Sequence, residues 1–464
     1  MSSTPLALGP IGQPLRRKED DRLLRGQGRF SDDFSLPGQV YAAMVRSPHP
    51  HARIVAIEAE RALVMPGVLG VFTGADVARE GLGAIPHSPL KTGIDRIELR
   101  RRNLIDEAKM PYANPFGMVY DSGRYAENMV LAMRLADWSG FDARRAEASA
   151  RGRLLGRGLA NYVESSVGTP REQARMTVRP EGIVEIVTGT QSAGQGHETS
   201  FAQVAAERLG LDVDAIRVRL DDTDLVGFGG GTHSGRSMRM AGAVIALAAG
   251  DLIAEGKRRA AKALEAAEGD IAYASGRFSV VGTDRDLDLF ELPGGLAVVR
   301  DNEMHEPVFP NGCHVCEVEV DPETGAVRLV RYVAVDDVGR PINPLIVEGQ
   351  IHGGIVQGIG QALCEACIVD GTSGQTLTGS LMDYAVPRAA DMPAFATCLN
   401  EVPSPTNALG VKAGGEGGTT PAPPVIASAL ADARRPVGVT DIPLPATPHA
   451  MWRAIHAAQG ISSH

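Results

Sequence analysis

The chain has 464 residues, room for about three domains of ordinary size, with 44% apolar residues, 22% charged residues and a net charge of −10. Those values exclude wholesale disorder and a collagen-like repeat, and the acidic balance opposes nucleic acid or an anionic membrane as a partner. The one departure from average usage is glycine, with 54 residues or about 12% of the chain against the usual ~7%.

At the N-terminus Arg16, Arg17 and Lys18 are followed by Glu19, Asp20 and Asp21, not by an apolar signal core. No apolar run approaches the ~18 residues of a membrane span. Five cysteines without an export signal point to a reducing compartment, so the expected location is the cytoplasm. Residues 20 to 85 read as a small α+β unit with strand-like runs at Val40–Val45 and Gly67–Phe72. From 94 to 157 the pattern is helical, with Met129, Ala132, Met133 and Ala136 at three-to-four spacing. Arg100, Arg101 and Arg102 beside Glu98, and Lys257, Arg258 and Arg259 beside Glu255, read as solvated helix faces. Residues 158 to 458 alternate strands, glycine-rich turns and amphipathic helices without a repeat.

Two CxxC pairs occur in that region. Cys313 and Cys316 lie in an alternating strand pattern, where positions three apart face opposite ways, and Cys364 and Cys367 end a helix-like run. Both pairs are expected to be buried small residues and not zinc or iron–sulfur ligands.

Four glycine loops stand at expected helix starts. The strand at 182–187 leads into Gly194, Gln195, Gly196, His197, Glu198 and Thr199, ahead of a helix burying Phe201, Val204, Ala205 and Leu209 and turning Gln203, Glu207 and Arg208 away. Gly231, Thr232, His233, Ser234, Gly235, Arg236 and Ser237 precede a helix at 241–249. Gly349 to Gly354, with Gln350, read as opening a third helix, and Gly410 to Thr420, with Lys412 and Gly415, as leading to a fourth at 425–433. First-turn N–H groups lack intrahelical partners and glycine admits close backbone approach, so four such loops suit a large, many-armed anion. None is a P-loop or a dinucleotide fingerprint. Glu416 is the acidic side chain of the last loop, and the glycines on both sides leave it free to act as a general base. His197 and His233 read as hydrogen-bond partners and not as metal ligands.

These residues resemble the molybdopterin-binding large subunit of the xanthine dehydrogenase, aldehyde oxidase and carbon monoxide dehydrogenase family. Gly26 to Asp33 and Arg46 to Ile54 resemble its hammerhead domain. Glu98 to Ile105, Met110 to Tyr112 and Tyr120 to Gly123 resemble the close of its first cofactor-binding domain. The 194–199 and 231–237 loops, Asn343-Pro344, Glu348 to Gln350 and Met382 to Tyr384 resemble its second. The implied fold is α+β: a partial hammerhead-like unit at 1–90, a helical remnant of the first cofactor domain at 91–157, and a large mixed α/β molybdopterin-binding domain at 158–464. The resemblance implies cofactor contacts from Gly194, Gln195, Gly196, His197, Glu198, Thr199, Gly231, Thr232, Ser234, Arg236, Ser237, Gln350, Lys412 and Gly415, with Glu416 catalytic. The metal would be held by the pterin and not by protein ligands, with the cytosine dinucleotide among the forms the resemblance admits for the cofactor. The implied activity is water-dependent oxidative hydroxylation of an aldehyde, N-heterocycle or similar small molecule, with electrons passed to iron–sulfur and FAD partner subunits. Two departures accompany it. Gly235 stands where serine is common, and near Leu90-Lys91 the chain skips most of the first cofactor domain, so the alternative is a non-catalytic remnant or binding subunit.

Overall fold

The computed structural model describes residues 9–28, 40, 56–71, 96–220, 222–439 and 444–459. It divides into one unit of residues 1–39, 103–365 and 385–464 and another of 40–102 and 366–384. Helix α1 (Asp20–Leu24) lies in the first. In the second, α2 (Ala59–Leu63) and α3 (Arg96–Asn103, all but its last residue) are the described helices, and Glu98 pairs with Arg101 and Arg102 as a solvated face should. The stretches at 29–33, 46–54 and 90–91, and most of Val40–Val45, fall outside the described residues.

In the first unit a short hairpin, β1 (Tyr112–Ala113) with β2 (Val119–Tyr120), precedes α4 (Tyr125–Leu135) and α5 (Phe141–Ala150). Met129, Ala132 and Ala136 are buried, in keeping with their spacing. There follow β3 (Leu154–Val163), β4 (Arg171–Arg179), β5 (Ile183–Thr188), α6 (His197–Leu209) and β6 (Ile216–Arg219). A π-helical turn at Met238–Gly242 then runs into α7 (Ala243–Ala263). A meander of β7 (Ile271–Ala274), β8 (Arg277–Val280) and β9 (Asp286–Asp288) leads to β10 (Leu296–Glu303). The chain closes with β11 (Asn311–Val320), β12 (Val327–Asp337), α8 (Pro344–Leu363), β13 (Phe395–Leu399), α9 (Ala422–Ala433) and α10 (Pro448–Ala458).

Two four-stranded sheets organise this unit. One has the order β10-β4-β5-β6, antiparallel except for the parallel β5–β6 pair. Strand β4 alternates buried Ala174, Met176 and Val178 with more exposed Arg175, Thr177 and Arg179, and α6 and α7 cover the buried face in one core. The other has the order β13-β12-β11-β3, with β12–β13 parallel. Here α4 and α5 lie on one face and α9 on the other, so β11 is buried almost throughout and does not alternate. Cys313 and Cys316 are therefore both buried, on opposite faces, and no described cluster of His, Cys, Asp or Glu has a metal-binding arrangement. Glycine serves packing here. A Cβ at Gly158 would lie 2.0 Å from the Val425 carbonyl, so only glycine lets α9 settle on β3.

Helices α8 and α9 begin earlier than their sequence pattern suggests. Helix α8 starts at Pro344, with the Asn343 side chain accepting from the Ile346 N–H, which leaves Gly349 to Gly354 inside the helix. An Asn cap before Pro at N1 is the stronger start signal, and Gly354 instead admits Thr419 and Gly418. Helix α9 starts at Ala422. No described helix is long and apolar enough to cross a membrane.

Candidate functional site

The loops that follow β5 and β6 leave the same end of that parallel pair and are fastened together. Gly189 and Gly229 meet backbone to backbone, a Cβ on Gly189 standing 2.2 Å from the Gly229 Cα. The Gly231 N–H donates to the Gly189 carbonyl at 3.3 Å. Beneath them Arg236 and Glu172, both fully buried, form an ion pair at 2.8 Å, and Arg236 also donates to the carbonyls of Thr169, Arg171 and Gly231. The third wall is the end of β12 with the start of α8. The fourth is the 410–416 segment, clamped to β12 by Lys412 N–H to the Val338 carbonyl and Arg340 N–H to the Gly410 carbonyl, each 2.8 Å.

These walls enclose a cavity of about 530 Å³. Of the candidates from sequence, Gly194, Gln195, His197, Thr232, Ser234, Ser237, Gln350, Lys412, Gly415 and Glu416 line it. Gly196 caps α6 with left-handed backbone (φ 76°). Glu198 is paired with Arg22, and the Thr199 hydroxyl is buried, donating to Glu19 at 2.6 Å. Gly231 and Arg236 form the support just described. Lys412 reaches the lining, but its ammonium points inward to Asp337 at 2.5 Å and the Ser122 carbonyl at 3.2 Å. Burial raises the Asp337 carboxyl above its usual range, against the pull of Lys412.

His197 stacks on Phe201 with ring centroids 4.9 Å apart, and its Nδ1 lies 3.1 Å from the Gln191 carbonyl. Burial pushes its pKa down to about 4, so the ring is neutral, Nδ1–H donates to that carbonyl and Nε2 is left as an acceptor. Gly235 faces the Ala413 methyl and the Ser166 hydroxyl, where an added Cβ would stand 2.6 Å and 2.9 Å away. Its departure to glycine is a packing requirement of this cavity.

Glu416 is exposed, while its carbonyl accepts the N–H groups of Thr419 and Thr420 as the chain turns into α9. Below the loop lies a buried chain: Tyr162 Oη donates to Asp336 Oδ1 at 2.6 Å, His314 Nε2 is 3.0 Å from the same oxygen, and His314 Nδ1 is 2.9 Å from Tyr332 Oη. Tyr162 Oη abuts Gly417, where a Cβ would be 2.7 Å away.

Several contributors carry no motif. Glu164, just past β3, is half-buried with its Oε2 enclosed, and burial, with the Glu416 carboxylate as the second cause, pushes its carboxyl up to about 8. Gln203 is fully buried and not turned away, its amide donating to the Pro10 carbonyl at 2.6 Å while its oxygen accepts from Asn343 at 2.9 Å. The N-terminal segment lies along α6: Lys18 N–H donates to Thr199 at 2.8 Å and Arg17 to the Gly194 carbonyl. Arg17 thus braces a cavity loop.

Family models match the molybdopterin cofactor-binding domain over residues 131–393 and the aldehyde oxidase and xanthine dehydrogenase a/b hammerhead domain over 25–93. The carbon monoxide dehydrogenase large chain of Hydrogenophaga pseudoflava is 32% identical over 79% of this chain and 49% of its own. The nicotine 6-hydroxylase large subunit of Paenarthrobacter nicotinovorans is 34% identical over 82% of this chain and 50% of its own. The crystal structure of quinoline 2-oxidoreductase from Pseudomonas putida 86 superposes with a TM-score of 0.71 at 33% identity, covering 78% of this chain and 50% of that one. The chain spans about half the length of these relatives.

Proposed function

Because the chain belongs to the molybdopterin-binding large subunits of the xanthine dehydrogenase family, we propose that its cavity holds a molybdenum cofactor and that it is the catalytic subunit of a molybdenum hydroxylase. The observation that carries this reading is the convergence of Gly194, Thr232, Ser237, Gln350 and Glu416 on one cavity from four separate segments.

The donor set fits an extended anionic pterin. The starts of α6 and of the helical run beginning at 236 border the cavity, and helix starts direct N–H dipoles toward an anion. Hydroxyls of Thr232, Ser234 and Ser237, and the amides of Gln195 and Gln350, supply further contacts. The buried cations Arg236 and Lys412 are already neutralised by Glu172 and Asp337, so attraction for an anion comes chiefly from helix ends. When bound, the cofactor supplies the two-electron redox centre and the site at which water-derived oxygen is activated. Glu416 would serve there as the general base, and its freedom from helix and sheet lets it face the cavity. His197, held neutral, offers an acceptor at Nε2 and adds no charge. Neither histidine is assigned to a metal.

Aldehydes, N-heterocycles and similarly small molecules are the proposed substrates, iron–sulfur and FAD subunits the proposed electron acceptors, the cytosine dinucleotide the proposed form of the cofactor, and the cytoplasm the proposed location. The test is metal, pterin and nucleotide analysis of the chain purified with its co-expressed neighbouring subunits. About one molybdenum and one pterin per chain are expected, with one cytidine nucleotide released on hydrolysis. Glu416→Gln should retain both and lose turnover by about 10²–10⁴-fold, the usual worth of a general base. A folded protein with neither molybdenum nor pterin would leave the binding-subunit reading in its place.

A further inference from the structure

One cross-strand row lies beneath the loop that presents Glu416. Tyr162 on β3 stands opposite Gly312 on β11, and Gly312 stands opposite Asp336 on β12. The middle member has no side chain. A Cβ on Gly312 would stand 2.7 Å from both the Tyr162 ring and Asp336 Oδ1, so glycine there lets Tyr162 reach across the central strand and donate to Asp336 at 2.6 Å. All three residues are buried. Burial, and Asp336 beside it, push the Tyr162 phenol well above its usual range, so it keeps its proton and remains the donor. His314 Nε2, 3.0 Å from the same accepting oxygen, is then the ring's N–H, and Nδ1 accepts from the Tyr332 hydroxyl at 2.9 Å. The direction of every bond in the chain is thereby fixed. Asp336 Oδ2 already has no partner among the described residues, so the Tyr162 hydroxyl cannot swing away without stranding the carboxyl further.

That hydroxyl meets the turn that follows Glu416. A Cβ on Gly417 would stand 2.7 Å from Tyr162 Oη, and one on Gly418 would stand 2.3 Å from the Ile351 carbonyl oxygen of α8. The turn is therefore held between a phenol on one side and helix backbone on the other. It is closed by the Glu416 carbonyl, which accepts from the N–H groups of Thr419 and Thr420 at 3.1 and 3.0 Å. On the preceding side a Cβ on Gly415 would meet nothing within 4 Å, so Glu416 takes its position from the residues after it. Gly417 does not have left-handed backbone, and its missing side chain answers to the Tyr162 hydroxyl alone.

Resting on the molybdenum hydroxylase reading, we propose that Tyr162 is the positioning residue of Glu416: its hydroxyl, anchored through Asp336 to His314, is the fixed stop against which Gly417 rests, and so sets where the Glu416 carboxylate enters the cavity. Tyr162 itself neither gives nor takes a proton in turnover. Removing the hydroxyl leaves α8 as the one remaining support, and the turn settles toward the vacated space.

Tyr162→Phe tests this, since a misplacement on the order of 1 Å can cost about 10²-fold in rate. With molybdenum and pterin content unchanged, kcat should fall by about tenfold or more while KM moves by less than about threefold. Adding Gly417→Ala to Tyr162→Phe should refill the space, because the new methyl would lie 3.7 Å from the ring carbon that bore the hydroxyl, an ordinary contact. The double variant should regain most of the lost kcat, although Gly417→Ala alone lowers it. A second measurement needs no cofactor. Hydrogen exchange of the full chain should show the Thr419 and Thr420 amides exchanging about tenfold faster in Tyr162→Phe, with the amides of β4 unchanged. Unchanged exchange at Thr419 and Thr420, kcat within about twofold of wild type, or a double variant no better than the worse single one would each overturn the proposal. Faster exchange in a chain that holds no molybdenum would uphold Tyr162 as the seat of the turn and remove only the hydroxylase reading.

Discussion

Asn343 and Gln203 meet side chain to side chain at 2.9 Å in the interior, joining the cap of α8 to the middle of α6 across 140 residues of sequence. The Asn343 oxygen caps α8 while its nitrogen serves Gln203 and the Leu15 carbonyl, so one side chain ties both helices and the N-terminal segment to the cavity floor.

Asn343→Ala should cost about 1–3 kcal/mol, because it removes a cap and strands the Gln203 oxygen. Asn343→Asp keeps the cap acceptor but loses the donor, and should be nearly as unstable. Urea unfolding measures both, and an Ala variant within a few tenths of a kcal/mol of wild type would refute the coupling.

Lys412 is expected to act on folding before it acts on any ligand. Lys412→Met leaves Asp337 buried beside Asn311 without its cation, at a cost of about 3–5 kcal/mol. Lys412→Met combined with Asp337→Asn should recover much of that loss. A Lys412→Met protein of undiminished stability would place the ammonium in the cavity instead.

His197 gives a pH dependence of known sign. Its pKa is depressed from the ordinary value near 6.5 to about 4, so the folded state resists protonation more than the unfolded chain does. The corresponding stability is fully present above about pH 6.5 and is lost as pH falls through about 4, with a slope of at most about 1.4 kcal/mol per pH unit. NMR titration of the ring should show a neutral Nδ1–H tautomer throughout pH 5–7. A midpoint near 6.5 would contradict the burial argument.

Gly417→Ala tests how rigidly the Glu416 loop is seated. The new methyl would press on Tyr162 Oη, which cannot retreat because it is bonded to Asp336 at 2.6 Å. A loss of about 1–3 kcal/mol is expected from overpacking, with a drop in kcat much larger than any change in KM. Pairing it with Tyr162→Phe should restore part of the stability in a thermal melt.

What could be read from sequence was local. Glycine beside a polar run and ahead of an apolar helix face marks its own loop, so the 194–199, 231–237 and 410–418 segments and Glu416 were legible. Gly349 to Gly354 looked the same but lie within a helix, where Gly354 answers to Thr419 and Gly418 pressed against it while Gly349 and Gly353 face open space. Gln203 looked solvent-facing because its partners, Asn343 and Pro10, come from elsewhere in the chain. Glu164 carried no signal at all: its character is set by burial and by Glu416. Arg236 and Lys412 had the right chemistry for an anion, but their charges are matched by Glu172 and Asp337, which no spacing rule connects to them.

The cavity borders both hydrophobic cores, α6, Met238 and Val411 packing with one and the start of α8, through Val347, with the other. A ligand held across them acts as a thermodynamic rivet, since it is released if either half opens. Without it, local opening of one core does not require the other, and hydrogen exchange should report two protection levels. With it, each half should exchange at its own rate divided by a common factor set by the free ligand concentration, so cofactor loading would be visible in amides far from the pocket.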